Sequence, residues 1–193
     1  MENPENSPAF STLTSAGTES PSPWYAIRTF NCQELKVSEF LSEKGKEHFI
    51  PMTYVERHTR QGKAKRVLAP VVHNMVFVRK DDSERHMSRL FSECAIPLYI
   101  LRKEGTPDYY EIPDAQMVEF RALCDPDFDG TLFMPGDEAE AKPGKEVRII
   151  HGPFSGMTGK LCRVKNSYYF VKVLAGVGVM MRISRWYCQV LNG

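Results

Sequence analysis

Five basic side chains, Arg57, Arg60, Lys63, Lys65 and Arg66, fall within ten consecutive positions with no acid among them. Side chains of this type at this density neutralise phosphates, and the affinity they confer falls with added salt. A solvated basic loop is the other reading of the same residues. Arg28 and Lys36 join the cluster if the strand and helix that carry them lie alongside. A second concentration of charge occupies residues 142–193, where nine Lys/Arg stand against the single acid Glu146, a net charge of +8. A module of that size with that charge points to a polyanion partner.

Other chemistry is harder to assemble. The five cysteines, Cys32, Cys94, Cys124, Cys162 and Cys188, are odd in number and contain no close pair, unlike a disulfide framework. They read as reduced thiols. The five histidines are scattered, so a zinc site would have to be assembled from positions distant in sequence, and neither a metal nor a cofactor is expected. There is no GxSxG, no P-loop and no metal-ligand spacing, which argues against an enzyme. No stretch approaches the ~20 apolar residues that cross a bilayer, and the start lacks the basic and apolar regions of a signal peptide, so a cytoplasmic, monomeric protein without a membrane partner is expected.

The elements that would position the basic residues can be read from periodicity. The net charge of +1 averages unlike parts, because residues 1–23 hold three Glu and no base and residues 125–141 hold six acids and no base. Residues 1–23 are rich in Ser, Thr, Pro and Asn and read as a disordered tail. WYAIRTF (24–30) reads as a strand. Asn31 with Glu34 forms a capping-box pattern for a helix whose Val37, Phe40, Leu41 and Lys44 share a face. Residues 48–59 and 67–80 read as two strands joined by RQGKAKR, a hairpin with a basic tip whose Gly62 can take a positive φ. A short helix follows Asp81 and Asp82, then a strand over 96–103. Pro113 opens a helix with Met117, Phe120 and Leu123 on one face. The acidic stretch 125–141 reads as a linker. The fold class is therefore α+β: an antiparallel sheet with flanking helices over 24–124, tethered to a small all-β barrel over 142–193.

The run KPGKEVRIIHGPFSGMTGKL reads as a strand, a Gly-Pro turn and a second strand. Together with WYAIRTF, IPM, MVFVR and EIPDAQMVEF it resembles the NusG family of transcription elongation factors, over Trp24 to Leu191. Val147, Ile149, Gly152, Pro153, Phe154, Gly156, Gly159 and Leu161 stand as in that family's KOW motif. The resemblance implies an NGN-type first domain that docks on the clamp helices of RNA polymerase and keeps the enzyme processive. His73, Asn74 and Met75 occupy the places where the family commonly has Pro-Gly-Tyr or Pro-Asn-Tyr. Met75, Phe77 and Tyr54 would form the docking patch; alternatively all three are core residues under the helices. At the front of the second helix His86, Ser88 and Arg89 occupy the region where the specialised paralogue RfaH meets the opposite polymerase wall; a solvated polar face is the other possibility.

The resemblance also assigns the hairpin bases, with Arg28 and Lys36, to the exposed non-template DNA strand. The KOW module would meet a NusE-type ribosomal protein or Rho through Ile150, Phe154 and Met157, while its charge keeps RNA open as a partner. Gly152, Gly156, Gly159, Gly176 and Gly178 argue for a stable barrel over a refolded helical hairpin. The departures at 73–75 and the acidic N-terminal extension favour a specialised antitermination factor over the housekeeping form. The alternative is a ribosome- or RNA-binding KOW protein that does not act on polymerase.

Overall fold

Two strands with the same five-residue habit, WYAIR and MVFVR, form the centre of the N-terminal module, each buried at its first four residues. The computed structural model describes residues 21–58, 62, 64–128 and 130–191. Of the tail read over 1–23, residues 1–20 lie outside the described residues, as do Arg60 and Lys63. In chain order the first module contains β1 (Trp24–Arg28), α1 (Glu34–Glu43), β2 (His48–Phe49), β3 (Met52–His58), β4 (Ala64–Pro70), β5 (Met75–Arg79), α2 (Glu84–Ser92), β6 (Tyr99–Ile100), β7 (Glu111–Ile112) and α3 (Asp114–Leu123).

The main sheet runs β2-β5-β1-β6, with β7 also paired to β1. β1 and β5 are antiparallel, Ala26 opposite Phe77 and Ile27 opposite Val76. Side chains alternate across a strand, so these two strands supply two cores. Tyr25, Ile27, Val76 and Val78 pack with Val37 and Leu41 of α1 and Met87 and Phe91 of α2. Trp24, Ala26, Met75 and Phe77 pack with Ile112 and with Met117, Phe120 and Leu123 of α3. The expected sandwich is present, with helices on both faces of an antiparallel sheet. An ionic network pins α3 in place: Trp24 Nε1 donates to Asp114 at 2.8 Å, and Arg79 and Arg121 both bond Glu47, at 2.7 and 3.0 Å.

The capping box does not form. Asn31 and Cys32 adopt positive φ of 56° and 52°, Gln33 becomes the N-cap without a side-chain bond, and Glu34 is buried instead of reaching back. The two long strands expected at 48–59 and 67–80 each break in two, near Pro51 and after Pro70, because proline has no N–H for a ladder.

The second module begins earlier than expected. It contains β8 (Thr131–Pro135), α4 (Gly136–Ala141), β9 (Gly144–Ile149), β10 (Thr158–Val164), β11 (Ser167–Leu174), β12 (Val177–Arg182), a 3₁₀ turn at Arg185–Tyr187 and β13 (Cys188–Val190). Most of the acidic stretch read as a linker is therefore folded: β8 pairs with β12, and α4 buries Ala139 against that sheet. Asp137 and Glu138 lie in the first turn of α4, where the helix dipole favours carboxylates, so these acids mark a helix start. Gly178 makes the packing possible, because a Cβ there would lie 2.4 Å from Ala139 Cβ. The strand path is β13-β9-β10-β11-β12-β8, with β13 and β8 as its two ends. It is an open six-stranded path, not the closed barrel expected, although it is built of strands as the glycines implied.

Candidate functional site

Pro51 and Pro70 bracket a hairpin that leaves the main sheet, and β3 with β4 makes a two-stranded sheet of its own. Its register places Tyr54 opposite Leu68 and Glu56 opposite Arg66 on one face, and Arg57 opposite Lys65 on the other. Tyr54 and Leu68 are exposed, at 36% and 45%. The Arg66 guanidinium sits 4.2 Å from the Tyr54 ring centroid, a cation–π contact that leaves its donors available. Arg57, Lys65 and Arg66 are all exposed, and among the described residues no acid lies within ion-pair distance of them. The basic cluster is thus spread over both faces of the ribbon. Leu68 was not picked out from the sequence: strands at 48–59 and 67–80 would pair Tyr54 with residue 72, whereas β4 starts at Ala64 and brings Leu68 opposite it.

Of Arg28 and Lys36, which the sequence added to this cluster, Arg28 ends β1 and turns toward the second module, where a Cβ built on Gly176 would lie 3.9 Å from its Nη2. Lys36 is exposed on α1.

Met75 and Phe77 require a correction. Both are fully buried in the central strand β5, and the Phe77 ring lies 5.4 Å from that of Phe120 on α3. They are core residues, and of the three side chains expected to dock together only Tyr54 is at the surface. The reason is the helix on the second face of the sheet: residues on both sides of β5 find cover, so alternation does not release one set to solvent.

The second helix presents the polar face expected of it. His86, Ser88 and Arg89 are exposed while Met87 between them is buried. Ser83 caps the helix, accepting from the His86 N–H. The backbone N–H of Ser83, with help from the nearby His86 and Lys46, holds the Asp82 carboxyl below the usual range. Ser88 and Arg89 line a shallow groove with Glu84, Arg85 and Tyr109.

In the second module Ile150 is exposed at 40%, whereas Phe154 and Met157 are half-buried. Phe154 packs edge-on against Phe128, centroids 4.9 Å apart, so its ring is largely engaged within the chain. The modules touch: Lys172 pairs with Glu119 of α3, and the buried face around Met75 and Phe77 is continuous with Val147, Ile149 and Phe170 of the second sheet. Trp186, exposed at 79%, stands beside Tyr168, Arg182 and Arg185 around one groove. The sequence analysis did not single out this tryptophan, which sits in the 3₁₀ turn Arg185–Tyr187. The Cys124, Cys162 and Cys188 thiols are pushed up by burial, which keeps them protonated and unreactive.

The fold and its exposed surfaces define a two-module α+β protein whose accessible features suit binding: a basic ribbon with an apolar pair, a polar helix face and an aromatic-basic groove. Residues 22–121 match the family model described as transcription termination factor nusG, and that span is just over half of the chain. The protein belongs to the NusG family. The match covers the first module and stops before β8. No curated protein matches the chain. Membership points to a role in transcription elongation or termination, in a family of non-enzymatic factors that act on RNA polymerase. Among the described residues no helix is long and apolar enough to cross a membrane.

Proposed function

We propose that this protein is a specialised transcription elongation and antitermination factor that holds RNA polymerase through its first module and recruits a second macromolecule through its second. The observation that carries this reading is the β3–β4 ribbon, which offers an exposed Tyr54–Leu68 pair beside the uncompensated charges of Arg57, Lys65 and Arg66. Tyrosine and arginine side by side are enriched in binding hot spots. The polymerase takes the Tyr54–Leu68 face, and His86, Ser88 and Arg89 supply a second contact. The ribbon bases Arg57, Lys65 and Arg66, together with Arg60 and Lys63 from the sequence between them, hold the phosphates of the non-template strand. The KOW-like module meets a NusE-type ribosomal protein or Rho through the loop bearing Ile150.

The test is binding of the purified full chain to core RNA polymerase, compared with the Tyr54→Ala/Leu68→Ala double variant. Binding by the wild type and its loss in the folded variant support the reading. A second reading, RNA binding independent of polymerase, rests on Trp186 and its neighbours Tyr168, Arg182 and Arg185, since an exposed aromatic among arginines suits base stacking. Failure to bind polymerase together with salt-dependent RNA binding that is lost in Trp186→Ala would replace the first reading with the second.

A further inference from the structure

The turn that carries His73 and Asn74 folds onto the start of α1. Three residues without glycine's freedom, Asn31, Cys32 and Asn74, adopt left-handed backbone there, with φ of 56°, 52° and 59°. The two segments are tied together: the Cys32 N–H donates to Asn74 Oδ1 at 2.8 Å, and the Asn74 N–H donates to Glu34 Oε1 at 3.1 Å. This convergence gathers one ligand atom each from Cys32, Glu34 and His73, all within 4.8 Å of one another. His73 Nδ1 lies 3.4 Å from Glu34 Oε1.

Glu34 is the anomaly in this cluster. Its side chain is only 2% exposed, and its second oxygen, Oε2, is buried without a hydrogen-bond partner among the described residues. A buried carboxylate oxygen with nothing to accept from is costly to leave so, and the groups beside it, a thiol and an imidazole, are metal ligands. Cys32 and His73 are exposed on the solvent side, giving an ion a route in.

We infer that Cys32, Glu34 and His73 form a binding site for a zinc-class divalent cation. Thiolate, imidazole and carboxylate are the ligand set such an ion takes, and three protein ligands leave a fourth position for water. Metal–ligand bonds of about 2.0–2.3 Å in a tetrahedron put ligand atoms about 3.5 Å apart. The His73 Nδ1–Glu34 Oε1 separation is already of that size, and the exposed Cys32 and His73 side chains have the freedom to close the rest. Binding releases the Cys32 thiol proton to solvent and leaves a thiolate on the metal. The ion satisfies the Glu34 carboxylate and staples the start of α1 to the turn that feeds the central strand β5. Sequence spacing gave no hint of this site, because residues 32 and 34 meet residue 73 only through the pairing of β1 with β5.

The experiment adds Co²⁺ alone to the reduced full chain, followed by optical spectroscopy. The expected result is thiolate-to-cobalt charge-transfer absorption in the near ultraviolet with the visible bands of a tetrahedral ion, both removed by stoichiometric Zn²⁺. Cys32→Ser abolishes the charge-transfer band, and Cys94→Ser leaves it intact. His73→Ala lowers cobalt affinity by at least about tenfold, since even outer-shell changes cost that much. Cys32 and His73 are exposed, so both variants keep the wild-type circular dichroism without metal, and either one alone decides the matter. Absence of the band in the wild type, its survival in Cys32→Ser, or an unchanged affinity in His73→Ala overturns the site.

Discussion

Tyr54 and Leu68 stand directly opposite each other across the β3–β4 ribbon, both at the surface, with Arg66 stacked 4.2 Å over the tyrosine ring. Cross-strand apolar pairs stabilise a sheet by only about 0.2–1 kcal/mol, and among the described residues neither side chain belongs to a core cluster. Their value lies in association. The double change Tyr54→Ala/Leu68→Ala is expected to weaken polymerase binding by roughly ten- to a hundredfold, about 1.4–2.8 kcal/mol, while surface placement keeps the melting temperature near that of the wild type. Fluorescence anisotropy or surface plasmon resonance against core polymerase, alongside a thermal melt, checks both halves.

Charge on the ribbon predicts a salt dependence. Arg57, Lys65 and Arg66 are exposed and free of acidic partners among the described residues, so each can displace a counterion from a phosphate. For a single strand each contact adds about 0.7 to the slope of log affinity against log salt. Neutralising all three is expected to flatten that slope by about 2 in binding to single-stranded DNA. An unchanged slope would remove Arg57, Lys65 and Arg66 from the phosphate contacts.

Phe77 makes a different prediction from the one its strand position invites. Because its ring is wholly buried against Phe120, Phe77→Ala is expected to destabilise the first module by about 3–5 kcal/mol. Chemical denaturation should show this as a lower midpoint with little change in slope. Any loss of polymerase binding in that variant then reports a damaged fold, and a stable variant with lost binding would restore Phe77 to the docking surface.

The parts of the fold legible in sequence were those with a local signal. WYAIR and MVFVR alternate strongly enough to be strands, and Pro113 followed by Met117, Phe120 and Leu123 marked α3 and its buried face. What escaped depends on partners distant along the chain. TLFMP reads as part of an acidic linker until it finds β12 more than forty residues later. The burial of Met75 and Phe77 depends on α3 covering the second face of the sheet, and the destination of Arg28 depends on the second module's turn at Gly176. Exposed binding residues were legible as types but not as faces: the basic cluster was visible, its division between two sides of a ribbon was not.

Gly178 gives the sharpest test of the revised module boundary. It sits on β12 opposite Met134 of β8, under Ala139 of α4, and an added Cβ would come within 2.4 Å of the Ala139 methyl and 3.0 Å of Met134 Cγ. Both neighbours belong to the stretch 125–141. If that stretch were a loose linker, it would shift aside at no cost and Gly178→Ala would gain slightly, since alanine loses less backbone entropy than glycine. Because β8 and α4 are packed on β12, the expected outcome is a loss of about 1–3 kcal/mol, as for overpacking in a well-filled core. Ala139→Gly in the same chain removes the opposing methyl and should recover part of that loss beyond what the single changes add up to, a coupling that a double-mutant cycle measures directly.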